Sequence, residues 1–217
     1  DERVVEYPYF ADWIVKGGDV NEHLDIGCTA NNNVLDSIYK KYFKSIYFSN
    51  VVIEPIKVTI PTYYHLSILN NAFQDNHKFK SISCLSTIEH IGFDNSHYGP
   101  NIPVLYTNVN IEPLLDSIKD IARITSDGGR FLISVPYGFR EVLIHPVTGK
   151  GGSQTFSYNE LSSAKELLDQ LGFKADFEVY NITNHGWELT DSKSCNARYA
   201  DGVPAASAVA FLKGVKL

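Results

Sequence analysis

Segments with the length and apolarity of buried strands alternate along this sequence with segments that have the apolar period of a helix, and this alternation constrains the fold most strongly. Short apolar runs between turn residues are typical of strands, and apolar residues three and four positions apart are typical of amphipathic helices. Strands that alternate with helices favour a mostly parallel sheet with helices on both faces. We therefore expect one α/β domain over residues 1–217, with about seven strands in its sheet.

Local signals set the expected limits of each element. Pro113 suits the first turn of a helix, and Ser157 with Glu160 has the spacing of a capping box. The predicted helices cover 34–43, 112–125 and 157–172, with a helix or lid segment within 1–20. The predicted strands cover 23–27, 50–55, 81–86, 130–136, 173–182 and 207–215. The last two strands have no helix between them, which indicates an antiparallel final strand, and the glycine-rich loop 138–156 is expected on the substrate side.

The composition narrows the class of protein. The chain has 217 residues and a net charge of -6, which disfavours a partner bound through its phosphates. No apolar run reaches the length of a membrane-spanning helix, so we predict no membrane span. Three cysteines, Cys28, Cys84 and Cys195, fit a reducing compartment better than a disulfide framework. These features predict a cytoplasmic globular domain.

The loop after the first predicted strand contains residues suited to ligand binding. Ligands bind at the carboxyl ends of the strands of an open α/β sheet, where Gly27 permits a tight turn and a close backbone approach. Asp25 can accept hydrogen bonds from the loop or from a cationic ligand. Thr29 replaces the second glycine of the dinucleotide pattern G-x-G-x-x-G, so NAD binding is disfavoured. Glu54, at the end of the predicted second strand, is the local candidate to bind both hydroxyls of a ribose.

Three segments in order, HLDIGCTANN, CLSTIEHIG and ITSDGGRFLISVP, resemble the motifs of the class I S-adenosylmethionine-dependent methyltransferases. The chain looks most similar to a bacterial subgroup found among surface-polysaccharide genes, whose fourth strand leads into a similar EHIG…YG segment. The resemblance spans roughly residues 23–217. It implies a Rossmann-like fold, S-adenosylmethionine as the cofactor and methyl transfer as the reaction.

The resemblance also implies roles for individual residues. Asp25, Gly27 and Cys28 would surround the methionine part of the cofactor, and Glu54 would bind its ribose. Thr29 and Asn31 stand where the family usually has glycine, which implies a tighter loop or weaker cofactor binding. The remaining implied contacts are Ile68 and Leu69 at the adenine, and Leu85 and Ser86 at the methyl end.

Glu89 and His90 follow the predicted fourth strand and are the main catalytic candidates. Histidine is suited to accept a proton near neutral pH, although a histidine at such a junction is often structural. Glu-His pairs bind a metal in some methyltransferases, but Ser86 stands where an acidic ligand would be, so no metal site is predicted. Further candidates lie in loops: His145 as a catalytic residue, and Tyr98, Tyr106 and Tyr137 as surfaces for a sugar ring.

The acceptor is expected to be a small molecule or a sugar-containing precursor, because the chain is acidic and carries no added recognition domain. Two alternatives remain open. One is methylation of RNA or protein, and the other is a non-catalytic protein of the same fold that binds the cofactor.

Overall fold

The computed structural model describes residues 1–66, 77–96, 105, 107–144, 149–200 and 206–217. The helices in these residues are α1 (Arg3–Gly17), α2 (Asp36–Tyr42), α3 (Glu112–Ile124) and α4 (Tyr158–Gln170). The strands are β1 (Glu22–Ile26), β2 (Ser45–Asn50), β3 (Thr62–Leu66), β4 (Phe79–Leu85), β5 (Thr125–Pro136), β6 (Val142–Ile144), β7 (Gly151–Gln154), β8 (Phe173–Thr183), β9 (Gly186–Thr190) and β10 (Ala208–Lys216). Short 3-10 turns cover Asn33–Leu35 and Ile88–His90.

The central sheet, as far as the structure describes the chain, has eight strands in the order β3-β2-β1-β4-β5-β10-β8-β9, and β6 pairs with β7 separately. Strands β3, β2, β1, β4 and β5 are parallel, whereas β10 is antiparallel to both β5 and β8. The chain leaves β1 towards β2 and β3 and then returns to β4 on the other side of β1. A crevice therefore forms at the carboxyl ends of β1 and β4, where ligands bind in sheets of this kind.

Helices cover both faces of the sheet, each over its own apolar core. α3 and α4 bury Ile118 and Leu161 on one face. α1 and α2 bury Phe10 and Tyr39 on the other. Each helix buries one apolar stripe against the sheet, which is how amphipathic helices are held in this architecture. Among the described helices, none is long and apolar enough to cross a bilayer.

Helix α1 is held against the sheet at several points along its length. The guanidinium of Arg130 donates to the carbonyls of Trp13 and Ile14 at 2.5 and 3.1 Å, which satisfies main-chain groups near the end of the helix. Nearer its start, the ring of Tyr9 stacks on Phe211 with centroids 3.9 Å apart. These contacts leave the first turn of α1 beside the crevice.

The predicted helices and the antiparallel last strand are confirmed, including the capping box at Ser157 and Glu160 that begins α4. The number of strands differs from the prediction, because the sheet has eight strands instead of seven. A short strand, β9, follows β8 through a turn at Thr183 and Gly186 and pairs with it at the edge of the sheet. This edge strand carries few buried side chains, so the apolar pattern gave no signal for it.

The position of the second strand was predicted wrongly. β2 is Ser45–Asn50, and the residues 51–55 that were predicted as strand form a loop beyond it. Ile46 and Phe48 are fully buried, whereas Val51 and Ile53 are exposed. The loop contains β-branched residues, which are typical of strands, so its sequence resembles that of a strand. The buried positions of the sheet nevertheless belong to the segment before it, Ser45–Asn50.

The glycine-rich segment 138–156 is partly regular structure instead of an open loop. β6 and β7 pair within it as an antiparallel hairpin, and residues 145–148 lie outside the described residues. A Cβ at Gly151 would lie 2.6 Å from Val142 Cγ1, so the two strands approach too closely there for a side chain. The hairpin also contacts the segment after β4, because the amide of Asp94 donates to the Gly151 carbonyl at 2.9 Å.

Candidate functional site

A cavity of about 490 Å³ opens at the crevice between the carboxyl ends of β1 and β4. Its volume suits a small organic ligand or cofactor. The residues predicted from the sequence that line it are Gly27, Cys28, Thr29, Asn31, Glu54, Ser86 and His90. Lining residues that were not predicted include Arg3, Tyr7, Asn32, Asn50, Lys57 and Asn95. The cavity therefore joins the start of α1 to the loops after β1, β2 and β4.

The backbone turns sharply at the two strand ends that meet in the cavity. Gly27 has a φ of 93°, and a Cβ there would lie 1.9 Å from Thr87 Oγ1, so both backbone and space require glycine. Cys28 and Ser86 have φ values of 58° and 41°, which are uncommon for residues other than glycine. Strained backbone of this kind clusters at functional sites.

Asp25 is fully buried at the end of β1, beneath the loop that lines the cavity. Its Oδ2 accepts from the Ala30 amide at 3.0 Å, and its Oδ1 accepts from Ser83 Oγ at 2.6 Å. Burial raises the pKa of Asp25 to about 7, although the hydrogen bonds from Ser83 and Ala30 act in the opposite direction. Asp25 therefore acts on the cavity through the conformation of the loop.

Asn31, which stands where the resemblance leads one to expect glycine, links two loops of the site. Its Nδ2 donates to the Pro55 carbonyl at 3.0 Å, and its Oδ1 accepts from the Lys57 amide at 2.8 Å. A glycine could form neither bond. The side chain thus fastens the loop after β1 to the loop after β2, and Thr29 is held as well because its carbonyl accepts from Tyr7 at 3.1 Å.

Glu54 reaches the cavity by a different route from the one predicted. It lies four residues after the end of β2 instead of at the strand end, and it is half-buried. Its Oε1 accepts from Asn50 Nδ2 at 2.9 Å, and its amide donates to the hydroxyl of Tyr64 at 3.2 Å. The same hydroxyl donates to the Val52 carbonyl at 2.5 Å. Side chains from β2 and β3 therefore position this loop.

The first turn of α1 forms one wall of the cavity. Arg3 and Tyr7 line it, and Glu6 is fully buried behind them. The carboxylate of Glu6 forms an ion pair with Arg3 and accepts hydrogen bonds from Ser86 Oγ at 2.6 Å and from Ser134 Oγ. These bonds fix the start of α1 to the end of β4, so the helix is part of the site.

His90 lines the cavity from the 3-10 turn after β4, and its side chain is 40% exposed. Its Nδ1 lies 2.8 Å from the Gly152 carbonyl. A carbonyl can only accept, so Nδ1 carries the hydrogen and Nε2 holds the lone pair of the neutral ring. The hairpin β6-β7 thus sets the tautomer that makes His90 able to accept a proton.

Glu89 is 2% exposed, and it is not among the residues that line the cavity. Its Oε1 lies 3.9 Å from His90 Nε2, and its Oε2 has no hydrogen-bond partner among the described residues. Burial raises the pKa of Glu89 well above its usual value. A residue in this position acts on an acceptor only through His90.

The other predicted contacts divide into those that the fold buries and those outside the described residues. Leu85 does not line the cavity as expected, because it is fully buried in the core under α1 and α2. Tyr137 is also buried, and its hydroxyl donates to the Ser192 carbonyl at 2.5 Å, so it offers no surface to a sugar. The predictions for Ile68, Leu69, Tyr98, Tyr106 and His145 fall outside the described residues.

No group of three or more His, Cys, Asp or Glu side chains within the described ranges is arranged to hold a metal ion. Cys28, Cys84 and Cys195 are free thiols. Burial raises the pKa of the Cys28 thiol, which lines the cavity, to about 12, so it is not a thiolate near neutral pH.

Neither a protein-family model nor a curated protein matches this chain. Solved structures do match it along nearly its whole length. A SAM-dependent methyltransferase from Methanosarcina mazei is 14% identical with a TM-score of 0.54, and the match covers 92% of this chain and 93% of that one. The N-methyltransferase NodS from Bradyrhizobium japonicum, in complex with S-adenosyl-l-homocysteine, is 10% identical with a TM-score of 0.52, over 96% of this chain and 86% of that one.

A third similar structure is the 1,6-didemethyltoxoflavin-N1-methyltransferase of Burkholderia thailandensis, with bound 1,6-didemethyltoxoflavin and S-adenosylhomocysteine. It is 13% identical with a TM-score of 0.53, over 91% of this chain and 72% of that one. Likeness at such identities concerns the fold. The chain has the Rossmann-like α/β fold of these methyltransferases, with its mostly parallel sheet and antiparallel C-terminal strand.

Proposed function

We propose that this protein transfers a methyl group from S-adenosylmethionine to a small-molecule or sugar-containing acceptor. One observation carries the proposal: the cavity lies at the carboxyl ends of β1 and β4 of a methyltransferase fold, and it contains the Gly27 turn, Glu54 and His90. The first two motifs of the resemblance, HLDIGCTANN and CLSTIEHIG, both run into this cavity. The similarity in fold and the resemblance in sequence therefore support a binding site in the same cavity.

The residues of the cavity fit such a cofactor. Gly27 leaves room for close approach to the main chain, and Glu54 offers a carboxylate whose two oxygens can accept from the hydroxyls of a ribose. The volume of about 490 Å³ lies within the range of small-molecule sites. S-adenosylmethionine, when bound, supplies a methyl group that is already activated on a sulfonium.

The chain itself has to orient the acceptor, exclude water and accept a proton. His90 is the candidate proton acceptor, since its Nε2 holds the lone pair while Nδ1 is bound to Gly152. Glu89 lies beside the ring, with its Oε1 3.9 Å from His90 Nε2, and burial disfavours the charged form of its carboxyl. Arg3 and Tyr7 of α1 cover the cavity from the other side.

Four observations support an acceptor of this class. The net charge of -6 disfavours a nucleic acid, and Arg3 presents hydrogen-bond donors to the cavity that suit hydroxyl or carboxylate groups. The subgroup resemblance favours a precursor of a surface polysaccharide. One methyltransferase of the same fold binds the small molecule 1,6-didemethyltoxoflavin. The free cysteines support a cytoplasmic location.

The test is transfer of labelled methyl groups from S-adenosylmethionine to panels of nucleotide sugars, small alcohols and amines, RNA and protein. We expect product from a sugar or small molecule, and His90→Ala should lower turnover about 100-fold while the affinity for S-adenosylhomocysteine stays unchanged. His185→Ala, at an exposed position on the turn before β9, is the matched control and should keep full activity.

Other outcomes would replace this proposal. Transfer only to RNA or protein would establish the first alternative. Tight cofactor binding without transfer to any member of the panels would favour a non-catalytic binding protein. Loss of activity with a chelator and its recovery with a divalent ion would assign Glu89 and His90 to a metal site.

A further inference from the structure

A chain of hydrogen bonds links a buried histidine to Asp25, and the proposed reaction makes no use of it. His23 lies two residues before Asp25 on the same face of β1, and both are fully buried. The adjacent strand β4 places Ser81 opposite His23 and Ser83 opposite Asp25. The imidazole spans both serines, with Nδ1 2.8 Å from Ser81 Oγ and Nε2 2.9 Å from Ser83 Oγ.

The surroundings of His23 keep the ring neutral. Phe43 stacks on it with centroids 4.7 Å apart, and Phe10, Trp13 and Tyr39 complete an aromatic enclosure. Burial, and then the charge of Arg130, lower the pKa of His23 to about 3, against a smaller raising effect from the backbone of Ser81. The ring therefore has one N–H donor and one acceptor throughout the neutral pH range.

The direction of every bond follows from the ionised carboxylate. Asp25 can only accept when ionised, so the single hydrogen of the Ser83 hydroxyl is donated to Asp25 Oδ1. The oxygen of Ser83 must then accept from His23 Nε2, which makes Nδ1 the acceptor of the Ser81 hydroxyl. Ionised Asp25 thus requires the Nε2–H tautomer of His23.

We propose that His23 and Ser83 are positioning residues for Asp25, and that the tautomer of His23 changes with the charge of Asp25. When Asp25 gains a proton, the proton occupies Oδ1, because Oδ2 faces the Ala30 amide. Each hydrogen then moves one place along the chain: Ser83 transfers its hydrogen to Oδ1, His23 Nε2 transfers its hydrogen to Ser83, and Ser81 transfers its hydrogen to Nδ1 and regains one from solvent. One proton is gained in all, the ring hydrogen is now on Nδ1 and is donated to Ser81, and the ring stays neutral.

The consequence for the site rests on the proposed function. Asp25 fixes the loop of Gly27 and Cys28 through the Ala30 amide, so a chain that orients the carboxylate also orients the loop against the cofactor. Other titratable or charged groups act on Asp25 from neighbouring elements. These groups are the same in all the variants that are compared below. They are Arg3 of α1, Cys28 of the loop, Tyr39 of α2, Glu54 of the loop after β2 and Cys84 of β4.

The test begins with the unmodified protein. Nitrogen-15 NMR of labelled histidine distinguishes the two neutral tautomers, and carbon-13 NMR follows the Asp25 carboxyl. We expect Nε2–H on His23 at pH 8.5 and Nδ1–H at pH 5.5, with the same midpoint as the titration of Asp25, near pH 7. A single tautomer across the titration of Asp25 would overturn the proposal.

Two serine variants then separate positioning from general damage to the core. Ser83→Ala removes the link to Asp25, and Ser81→Ala removes an equal hydroxyl from the other nitrogen of the same ring. Ser83→Ala should raise the midpoint of Asp25 and weaken S-adenosylhomocysteine binding about tenfold at pH 8, whereas Ser81→Ala should change affinity less than about threefold. Equal effects of the two variants on midpoint and affinity would show a structural role only.

A further pair covers the case in which Ser83→Ala does not fold. His23→Gln keeps a donor near the place of Nε2 and should keep the affinity, whereas His23→Leu should lose it. Equal affinities for these two variants would contradict the proposal. If the unmodified protein shows the coupled titrations but does not bind S-adenosylhomocysteine, the proposed function fails while the hydrogen-bonded chain stands.

Discussion

The site holds two carboxylates, Asp25 and Glu54, in opposite ways. Asp25 ends a central strand, is fully buried, and accepts hydrogen bonds from a side chain of the adjacent strand and from its own loop. Glu54 lies on a loop beyond β2, is half-buried, and is positioned by Asn50 and Tyr64. The register of the sheet therefore fixes Asp25, whereas contacts between distant side chains fix Glu54.

The difference separates what each residue can do. A buried carboxylate that never lines the cavity shapes the loop, and its charge depends on a raised pKa. A half-buried carboxylate that lines the cavity is available to contact a ligand directly. Substitutions among Asp25 and its hydrogen-bond partners should therefore have non-additive effects on ligand affinity. Substitutions among Glu54 and the side chains that hold its loop should have nearly additive effects.

The largest effect is expected from Asp25→Ala. This variant removes the partner of the Ala30 amide and of Ser83, so the loop should lose its bound conformation and affinity for S-adenosylhomocysteine should fall about 100-fold or more. Calorimetric titration measures the affinity, and circular dichroism with thermal melting checks that the fold persists. Unchanged affinity in the folded variant would remove Asp25 from the site.

Glu54→Gln should have the next largest effect, about a tenfold loss of affinity, because charge-assisted hydrogen bonds to the ribose are lost. The loss should be greater for S-adenosylhomocysteine than for an analogue that lacks one ribose hydroxyl. Equal losses for the two ligands would mean that Glu54 does not bind the ribose diol.

The buried group that contains Asp25 and His23 should make the free energy of unfolding depend on pH, through the pKa of His23. The pKa of His23 is about 3 in the folded protein against 6.5 when unfolded, so below pH 6.5 the unfolded chain binds a proton that the folded chain excludes. The stability that comes from keeping His23 neutral is therefore present above its unfolded pKa of 6.5, and it is lost progressively as the pH falls below that value. Between pH 6.5 and 5 the protein should lose about 1.6 kcal/mol more than His23→Gln, measured by urea unfolding. Parallel losses would show that His23 is protonated in the folded state.

Tyr64→Phe should give the smallest effect, about a threefold loss of affinity, because one hydroxyl that holds Val52 and the Glu54 amide is removed. Tyr63→Phe, the neighbouring and more exposed position on β3, is the matched control and should bind normally. If both variants bind equally well, the loop is held by Asn31 and Asn50 without Tyr64.

The same comparison explains how much of the site could be predicted. Asp25 and Gly27 sit at the end of a short apolar run, and such a strand end is readable from local sequence. Glu54 was selected from a mistaken strand over 50–55, and it reaches the cavity because Tyr64 and Asn50 hold its loop. Those contacts join separate elements, so no local pattern encodes them.

The cavity wall formed by α1 also depends on contacts between distant residues, which local sequence patterns do not predict. Residues 1–20 were predicted to contain a helix or a lid segment, and the structure has the helix α1 there. No local pattern predicts that Arg3 and Tyr7 line the cavity, since their position depends on the hydrogen bonds that Glu6 accepts from Ser86 and Ser134. Packing between the first residues of the chain and strands far along it decides this part of the site.

The most direct test of the central claim is calorimetric titration of the folded, unmodified protein with S-adenosylhomocysteine. We predict saturable binding with one ligand per chain and a dissociation constant of roughly micromolar order. NADH, added as a second ligand that contains adenosine, should give no binding heat. A folded protein that shows no binding to S-adenosylhomocysteine at millimolar concentration would contradict the account.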